Sequence, residues 1–284
     1  MKTVAKKGAF SIPTEVTHVT TTLEKAGFEA YLVGGCVRDL YLEKTPKDWD
    51  VTTNATPDKI QGLFPNTFYE NDYGTVGVVN DGTKDESLKV IEVTPYRLEA
   101  GYSDKRRPDS VIFSHNLEDD LKRRDFTINA IALSPTHNKT VDLYGGTADL
   151  EKKIIRAVGN PSERISEDAL RILRAIRLQT ELGFVIESDT LKAIETSKDL
   201  LKNISAERIR DEFVRIIMSP RPMEGLIMAQ KLGILRNILP ELEEGIGMEQ
   251  TQAHKFDVWE HSLRALQHAR QEFSPSRTPS RPLS

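Results

Sequence analysis

Residues 30–53 read AYLVGGCVRDLYLEKTPKDWDVTT. The apolar run Phe28 to Val33 ends in Gly34-Gly35, and a short helix opens behind the two glycines. A strand that passes through glycines into a helix aims free backbone N–H groups at one spot, and Arg38 in the first helical turn adds a fixed positive charge there. That is the make-up of a triphosphate cradle, although a glycine pair after a strand also serves as an ordinary tight turn. Farther along, Trp49 to Thr53 is a second strand candidate, preceded by Asp48. Residues two apart in an extended chain share a face, so Asp48 and Asp50 project together while Trp49 faces the other way. Paired carboxylates repel unless a cation neutralises them, and hard oxygen donors suit Mg²⁺, which binds few carboxylates together with substrate phosphates. A solvated strand edge would carry the same pair.

Outward from this stretch, the first half of the chain is mixed. Pro13 to Ala26 reads as a helix stopped by Gly27, and Thr56-Pro57 opens a short helix reaching Phe64. Thr75 to Asn80 and Leu88 to Thr94 are β-rich runs parted by the polar segment Asp81 to Ser87, which predicts a hairpin. Glu92 sits inside the second of these runs. An acid embedded in an apolar strand is costly unless it binds metal or pairs, here with Arg97 or Lys89. Ile131 to Ser134 and Val141 to Tyr144 complete a mixed, mostly antiparallel sheet. From Ser166 onward the period is helical: Ala169, Ile172, Leu173 and Ile176 share one face, and Ile209, Phe213, Ile216 and Ile217 another. Further helices are expected at Met223 to Leu232 and Val258 to His268. The boundary falls near Gly145-Gly146 or at Gly159-Asn160-Pro161.

Composition narrows the class. The chain is 284 residues long with 38% hydrophobic residues, which excludes wholesale disorder, and no apolar run approaches a membrane span. A single cysteine, Cys36, excludes a disulfide framework and fits a cytoplasmic protein without a secretory signal. The net charge of −4 argues against nucleic-acid binding by bulk positive charge, but not against a local basic stripe.

Leu32-Val33-Gly34-Gly35-Cys36-Val37-Arg38-Asp39, Lys47-Asp48-Trp49-Asp50 and Arg123-Arg124-Asp125-Phe126-Thr127-Ile128-Asn129-Ala130 follow one another in the chain. So do Asp142-Leu143-Tyr144-Gly145-Gly146, the run Glu167 to Arg177, and Glu207 to Phe213. In that order they resemble the class II tRNA nucleotidyltransferases, which are CCA-adding enzymes with bacterial poly(A) polymerase relatives. The resemblance implies an α+β architecture, a polymerase-β-like nucleotidyltransferase head with a mixed sheet followed by an all-helical neck and body. It implies Asp48 and Asp50 as ligands of catalytic Mg²⁺ with Glu92 as a third acid, and Gly34, Gly35 and Arg38 on the incoming triphosphate. Arg124 and Asp125 would serve the nucleotide's phosphate or ribose. Asp168, Arg171, Arg174 and Arg177 would form a nucleotide-selecting helix, and Gly145-Gly146 would lie near a hinge. The expected reaction adds CMP and AMP from CTP and ATP to the 3′ end of tRNA, with no stable protein partner. Poly(A) addition and a non-catalytic RNA-binding derivative are the alternatives.

The selecting role also has a physical basis. Asp168, Arg171 and Arg174 are spaced i, i+3, i+6, away from the apolar stripe. A carboxylate accepts from an exocyclic amine, and a guanidinium donates to the neighbouring ring acceptor. Cytosine and adenine offer that pair; uracil and guanine place a carbonyl where the amine would be, which the carboxylate repels. An intrahelical Asp168–Arg171 ion pair is the plain alternative. Arg97 to Val111 is polar and basic without strand or helix period, and resembles the flexible loop of enzymes that add the terminal A. Near the C-terminus His254 to His261 resembles the entry to an HD hydrolase domain, but no His is followed by Asp, and His261 and His268 read as surface residues. Lys202, Arg208, Arg210, Arg215 and Arg221 offer a basic stripe for RNA phosphates. The expected division is head 1–146, neck 147–218, a shortened helical body 219–270 and a disordered tail 271–284.

Overall fold

A computed structural model describes residues 3–4, 10–69, 74–100, 110–250 and 255–272. The chain divides into two compact units at Asn160–Pro161.

The first unit follows β1 (Thr3–Val4) with α1 (Thr14–Lys25), whose Val16, Val19, Thr20 and Leu23 form the buried stripe expected of a one-sided helix. Gly27, at φ 88°, ends that helix region and lets the chain turn into β2 (Ala30–Val33). Next come α2 (Gly35–Tyr41), β3 (Asp50–Thr53), α3 (Pro57–Leu63), β4 (Thr67–Tyr69), β5 (Val76–Val79) and β6 (Val90–Pro95). The hairpin expected from the polar break at Asp81 to Ser87 is present, because β5 and β6 pair antiparallel. β7 (Arg97–Ala100) and β8 (Ser110–Phe113) form a separate antiparallel pair. This corrects the reading of Arg97 to Val111 as a loop without strand period. Its ends are strands that register Arg97 with Phe113, while the middle, 101–109, lies outside the described residues. Period alone missed them because a four-residue strand gives too few alternations to count.

Then come α4 (Leu117–Lys122), β9 (Ile131–Ser134), β10 (Lys139–Asp142) and α5 (Gly146–Lys152). The main sheet has the order β1-β10-β9-β2-β3-β6-β5-β4, and β3–β6 is its parallel pair. Leu32, Val51, Ile91, Val93, Ile131 and Leu133 are buried and, by the strand register, share one face of the central strands. Val33, Tyr96, Leu117, Leu121, Ala132 and Val141 pack as one cluster that ties α4 to the sheet. Gly145-Gly146, expected near a hinge, lies within this unit at the start of α5.

The second unit is helical: α6 (Pro161–Glu167), α7 (Arg171–Leu182), α8 (Ser188–Ser197), α9 (Ala206–Ile217), α10 (Pro222–Lys231), α11 (Leu235–Ile238) and α12 (Val258–Glu272). Ala169, Ile172, Leu173 and Ile176 are all buried, as the period requires. α7 ends at Gly183 in a left-handed conformation, and Glu187 caps α8 by accepting the Thr190 N–H at 2.9 Å. Gly225 lets α10 press close: a Cβ there would meet Thr180 Cγ2 at 2.7 Å and Ile216 Cγ2 at 2.8 Å. Of the expected disordered tail, Gln271 and Glu272 belong to α12, and 273–284 lie outside the described residues. Among the described residues, no helix is long and apolar enough to cross a membrane.

Candidate active site

The site in the first unit is organised by the bend between β2 and α2. Gly34 has φ 78° and ψ −139°, a backbone region that side chains make prohibitively strained, so the sharp exit from β2 requires glycine. A Cβ on Gly34 would lie 3.1 Å from Asp50 Oδ2 and 3.2 Å from Arg124 Nη1. One on Gly35 would lie 3.6 Å from Arg38 Nη2 and 3.9 Å from Asp48 Oδ1. The two aspartates and the two arginines therefore converge on the same glycine pair, where the first turn of α2 also presents backbone N–H groups.

Asp48 and Asp50 do not share one strand face, as alternation predicted. β3 begins at Asp50, and Asp48 lies in a bend before it. Leu32 pairs with Val51 near the end of β2, and the chain then turns away at Gly34, so Asp48 has no ladder partner to hold it extended. The carboxylates are nevertheless neighbours, brought together around the bend rather than along a strand. Trp49 between them is buried.

Glu92 stands beside Asp50 in register on β6, and paired residues of parallel strands face the same side. Lys89, one candidate partner for Glu92, instead pairs with Glu86. Among the described residues, no group of three or more His, Cys, Asp or Glu is placed to hold a metal. The donor set offered at the bend is thus the aspartate pair. Two hard carboxylates beside the Gly34-Gly35 bend have the donor chemistry that fits Mg²⁺, which takes few protein ligands and completes its shell with phosphate and water.

The cations are braced. Arg38 donates from Nε to Asp39 Oδ1 at 2.9 Å and from Nη1 to Asn129 Oδ1 at 3.0 Å. Asn129 is oriented in turn by donating to Asp125 Oδ1 at 3.2 Å. Asp125 is buried and also accepts the Phe126 N–H at 2.7 Å, so within this unit it anchors the brace of Arg38. Arg124 Nη2 donates to Asp120 Oδ2 at 3.0 Å. Burial alone would raise the Asp120 carboxyl, but Arg123 and Arg124 outweigh it and hold the group below the usual carboxylate range. Asp39, Asp120 and Asn129 were not singled out from sequence. The available signal was their placement inside or beside the arginine-bearing runs.

Cys36, one residue into α2, donates its thiol to Val33 O at 3.1 Å. Burial first, then the charge of Asp50, with a smaller push from Asp48, raises the thiol to about 12. Both carboxylate charges are felt at this one buried atom.

The second unit carries the expected selecting residues, but not on one helix face. α7 begins at Arg171, and Asp168 precedes it, its Oδ1 accepting the Leu170 N–H at 3.1 Å. A short polar side chain there competes for backbone donors, which stops the helix from continuing back through it. Asp168 Oδ2 accepts from Arg208 Nη2 of α9 at 2.7 Å, a pairing across 40 residues in place of the intrahelical one with Arg171. Arg171 is buried rather than turned away from the apolar stripe. It donates from Nη1 to Glu167 Oε2 at 2.7 Å and to Arg164 O at 2.5 Å. Arg177 joins Glu212 at 2.6 Å and Glu181 at 3.0 Å, and Arg174 is half-buried. Of the basic stripe, Lys202, Arg210 and Arg221 have acidic neighbours on their own segments, and Arg215 is exposed. His261 and His268 are exposed on α12, as read.

Comparison with known proteins adds to this geometry. Residues 30–156 match the poly(A) polymerase head domain, and residues 183–246 match a domain described as a probable RNA- and SrmB-binding site of polymerase A. A CCA-adding enzyme of Lactobacillus helveticus is 49% identical over 203 residues, 71% of this chain and 49% of that protein. The CCA-adding enzyme of Leuconostoc mesenteroides is 41% identical over 256 residues, 88% of this chain and 62% of that one. The Bacillus stearothermophilus CCA-adding enzyme, solved in complex with CTP, superposes with a TM-score of 0.74 at 34% identity, covering 83% of this chain and 57% of that chain. The chain spans about half the length of the first curated relatives it matches.

Proposed function

The chain belongs to the family of CCA-adding enzymes and poly(A) polymerases and carries that family's polymerase-β-like head, and from this we propose that it transfers CMP and AMP from CTP and ATP to the 3′ end of tRNA. The observation that carries the reading is the convergence of Asp48, Asp50, Arg38 and Arg124 on Gly34-Gly35. Nucleotidyl transfer in this family depends on a divalent metal, which we take to be Mg²⁺. When bound, the metal supplies charge neutralisation and a more acidic attacking hydroxyl. Asp48 and Asp50 hold it, with Glu92 as the neighbouring strand acid. Arg38, the backbone N–H groups behind Gly34 and the donors of Arg124 bind the triphosphate, and Asp125 steadies that set through Asn129.

Base choice belongs to the second unit. Glu167 and the Arg164 carbonyl fix the plane of Arg171, while Arg208 fixes the Asp168 carboxylate. A fixed acceptor and a fixed donor can read the amine and adjacent acceptor that C and A share, with Arg174 and Arg177 continuing the selecting set along α7. We assign residues 1–146 to the head, 147–218 to the neck and 219–270 to the body, and place the protein in the cytoplasm without a stable protein partner.

The test is incubation with a tRNA lacking its 3′ CCA, with Mg²⁺, CTP and ATP, followed by sequencing of the product end. Addition of C, C and A in order is expected. A-only extension independent of CTP would replace this reading with poly(A) synthesis, and tRNA binding without incorporation would remove catalysis altogether.

A further inference from the structure

Asp120 is a fully buried carboxylate on α4, a helix anchored by Leu117 and Leu121 in the apolar cluster of the first unit. A charge in such a place persists only if it is fully paired. Its two oxygens divide the work. Oδ1 accepts from Arg123 Nε at 2.9 Å and Nη2 at 2.6 Å, whereas Oδ2 accepts from Arg124 Nη2 at 3.0 Å.

The rest of the Arg124 guanidinium points elsewhere. Its Nη1 lies 3.2 Å from the point where a Gly34 Cβ would stand, beside Asp50 Oδ2. Its Nε is buried and has no hydrogen-bond partner among the described residues. Folded proteins rarely leave a buried donor unmatched, and where they do, an oxygen from elsewhere is the natural acceptor. Arg124 is thus gripped at Nη2 while Nη1, the other terminal nitrogen, stands at the Gly34 bend.

We propose that Asp120 is a positioning residue for nucleotide binding: by holding Arg124 through Nη2, it keeps Nη1 at the Gly34 bend for a triphosphate oxygen. This rests on the head being a nucleotide site. Arg123, bound to the other oxygen, has the separate task of satisfying the buried charge and steadying the end of α4.

The test measures CTP affinity by titration calorimetry and steady-state kinetics on a tRNA lacking CCA, with folding followed by circular dichroism. Asp120→Asn, which keeps the shape but not the charge, should raise the CTP Kd and KM by about tenfold or more, the effect of losing one charge-assisted bond, and lower kcat far less. In an Arg124→Gln background the same change should cost less than about twofold, because its target is gone. Asp120→Glu, which keeps the charge and moves it by one methylene, covers the case in which the asparagine variant does not fold, and should also weaken CTP. Arg123→Gln should lower the melting temperature with the CTP Kd within about twofold of wild type. A folded Asp120 variant with wild-type CTP affinity, or an equal penalty with and without Arg124, overturns the inference. So does an Arg123→Gln protein that loses CTP as strongly as Asp120→Asn. If wild type itself fails to bind CTP, the nucleotide-site reading falls first and takes the inference with it.

Discussion

At the scale of single residues, the site depends on charges held in place before any ligand arrives. Asp50 and Arg124 sit within about a hydrogen bond's reach of one point at Gly34, and neither has to be recruited from solvent. Replacing Asp50 or Asp48 by alanine should cut nucleotide incorporation by roughly 10³-fold or more, while far-UV circular dichroism stays unchanged. Near-normal turnover in either variant would remove the metal role assigned to the pair. Asp168→Ala tests a different step. It should leave incorporation of CMP measurable but raise misincorporation of UMP and GMP, read by supplying each nucleotide separately. Because Asp168 also pairs with Arg208, the variant's melting curve belongs beside the assay, and unchanged discrimination in a folded protein would sink the selecting role. That Asp48, Asp50, Arg38 and Arg124 gather at Gly34-Gly35 was legible in the sequence, because residue type and order point to it. Their braces were less so. Asp39 and Asn129 act on Arg38, and Asp120 acts on Arg124, through contacts that depend on where a helix end or a distant turn arrives.

At the scale of elements, two of the departures from what spacing predicts share a cause. Alternation predicts one shared face for Asp48 and Asp50, but a strand needs a neighbour, and the ladders of β3 stop at Val51 on the β2 side and at Asp50 on the β6 side, leaving Asp48 outside the strand. The spacing predicts Asp168 on the helix with Arg171 and Arg174, but its side chain takes the Leu170 N–H and the helix starts later. Long, strongly periodic elements such as α1 and α9 came through, since many residues agree on one face. Short elements are set by their caps and partners instead. The start of α5 is a further case. Asp142 Oδ1 accepts the Gly146 N–H at 2.9 Å, and Oδ2 accepts the Thr147 N–H at 2.9 Å and its hydroxyl at 2.7 Å. Asp142→Ala would strand these donors in a buried setting and should destabilise the first unit by about 1–3 kcal/mol. Urea denaturation would measure it, and a midpoint equal to wild type would show that α5 does not depend on this cap.

At the scale of the molecule, the two compact units raise the question of how the first one opens, and Cys36 provides a native reporter, being the single cysteine of the chain. Its thiol is buried and raised to about 12, chiefly by burial and then by Asp50. At pH 8 the native protein therefore holds it protonated and out of reach, and a thiol reagent modifies it only through opening of the first unit. Labelling should be slower than for an unfolded peptide by the opening equilibrium, and urea should accelerate it in step with loss of that unit's structure. Rapid labelling of the folded protein would mean that the bend breathes independently of its unit. The same group makes a pH prediction of definite sign. With its pKa raised from 9.0 in the ordinary thiol to about 12 when folded, the stability it contributes is complete below pH 9 and is lost as pH rises toward 12. Across that window the unfolded state releases the proton and the folded state keeps it, which costs up to about 1.4 kcal/mol per pH unit. Tyrosines 31, 41 and 96, also raised by burial, add to the raw slope, so the comparison is with Cys36→Ala, which keeps them. Wild type should lose stability more steeply than this variant between pH 9 and pH 12, and parallel curves would show that the thiol is not held beside the aspartate pair as described.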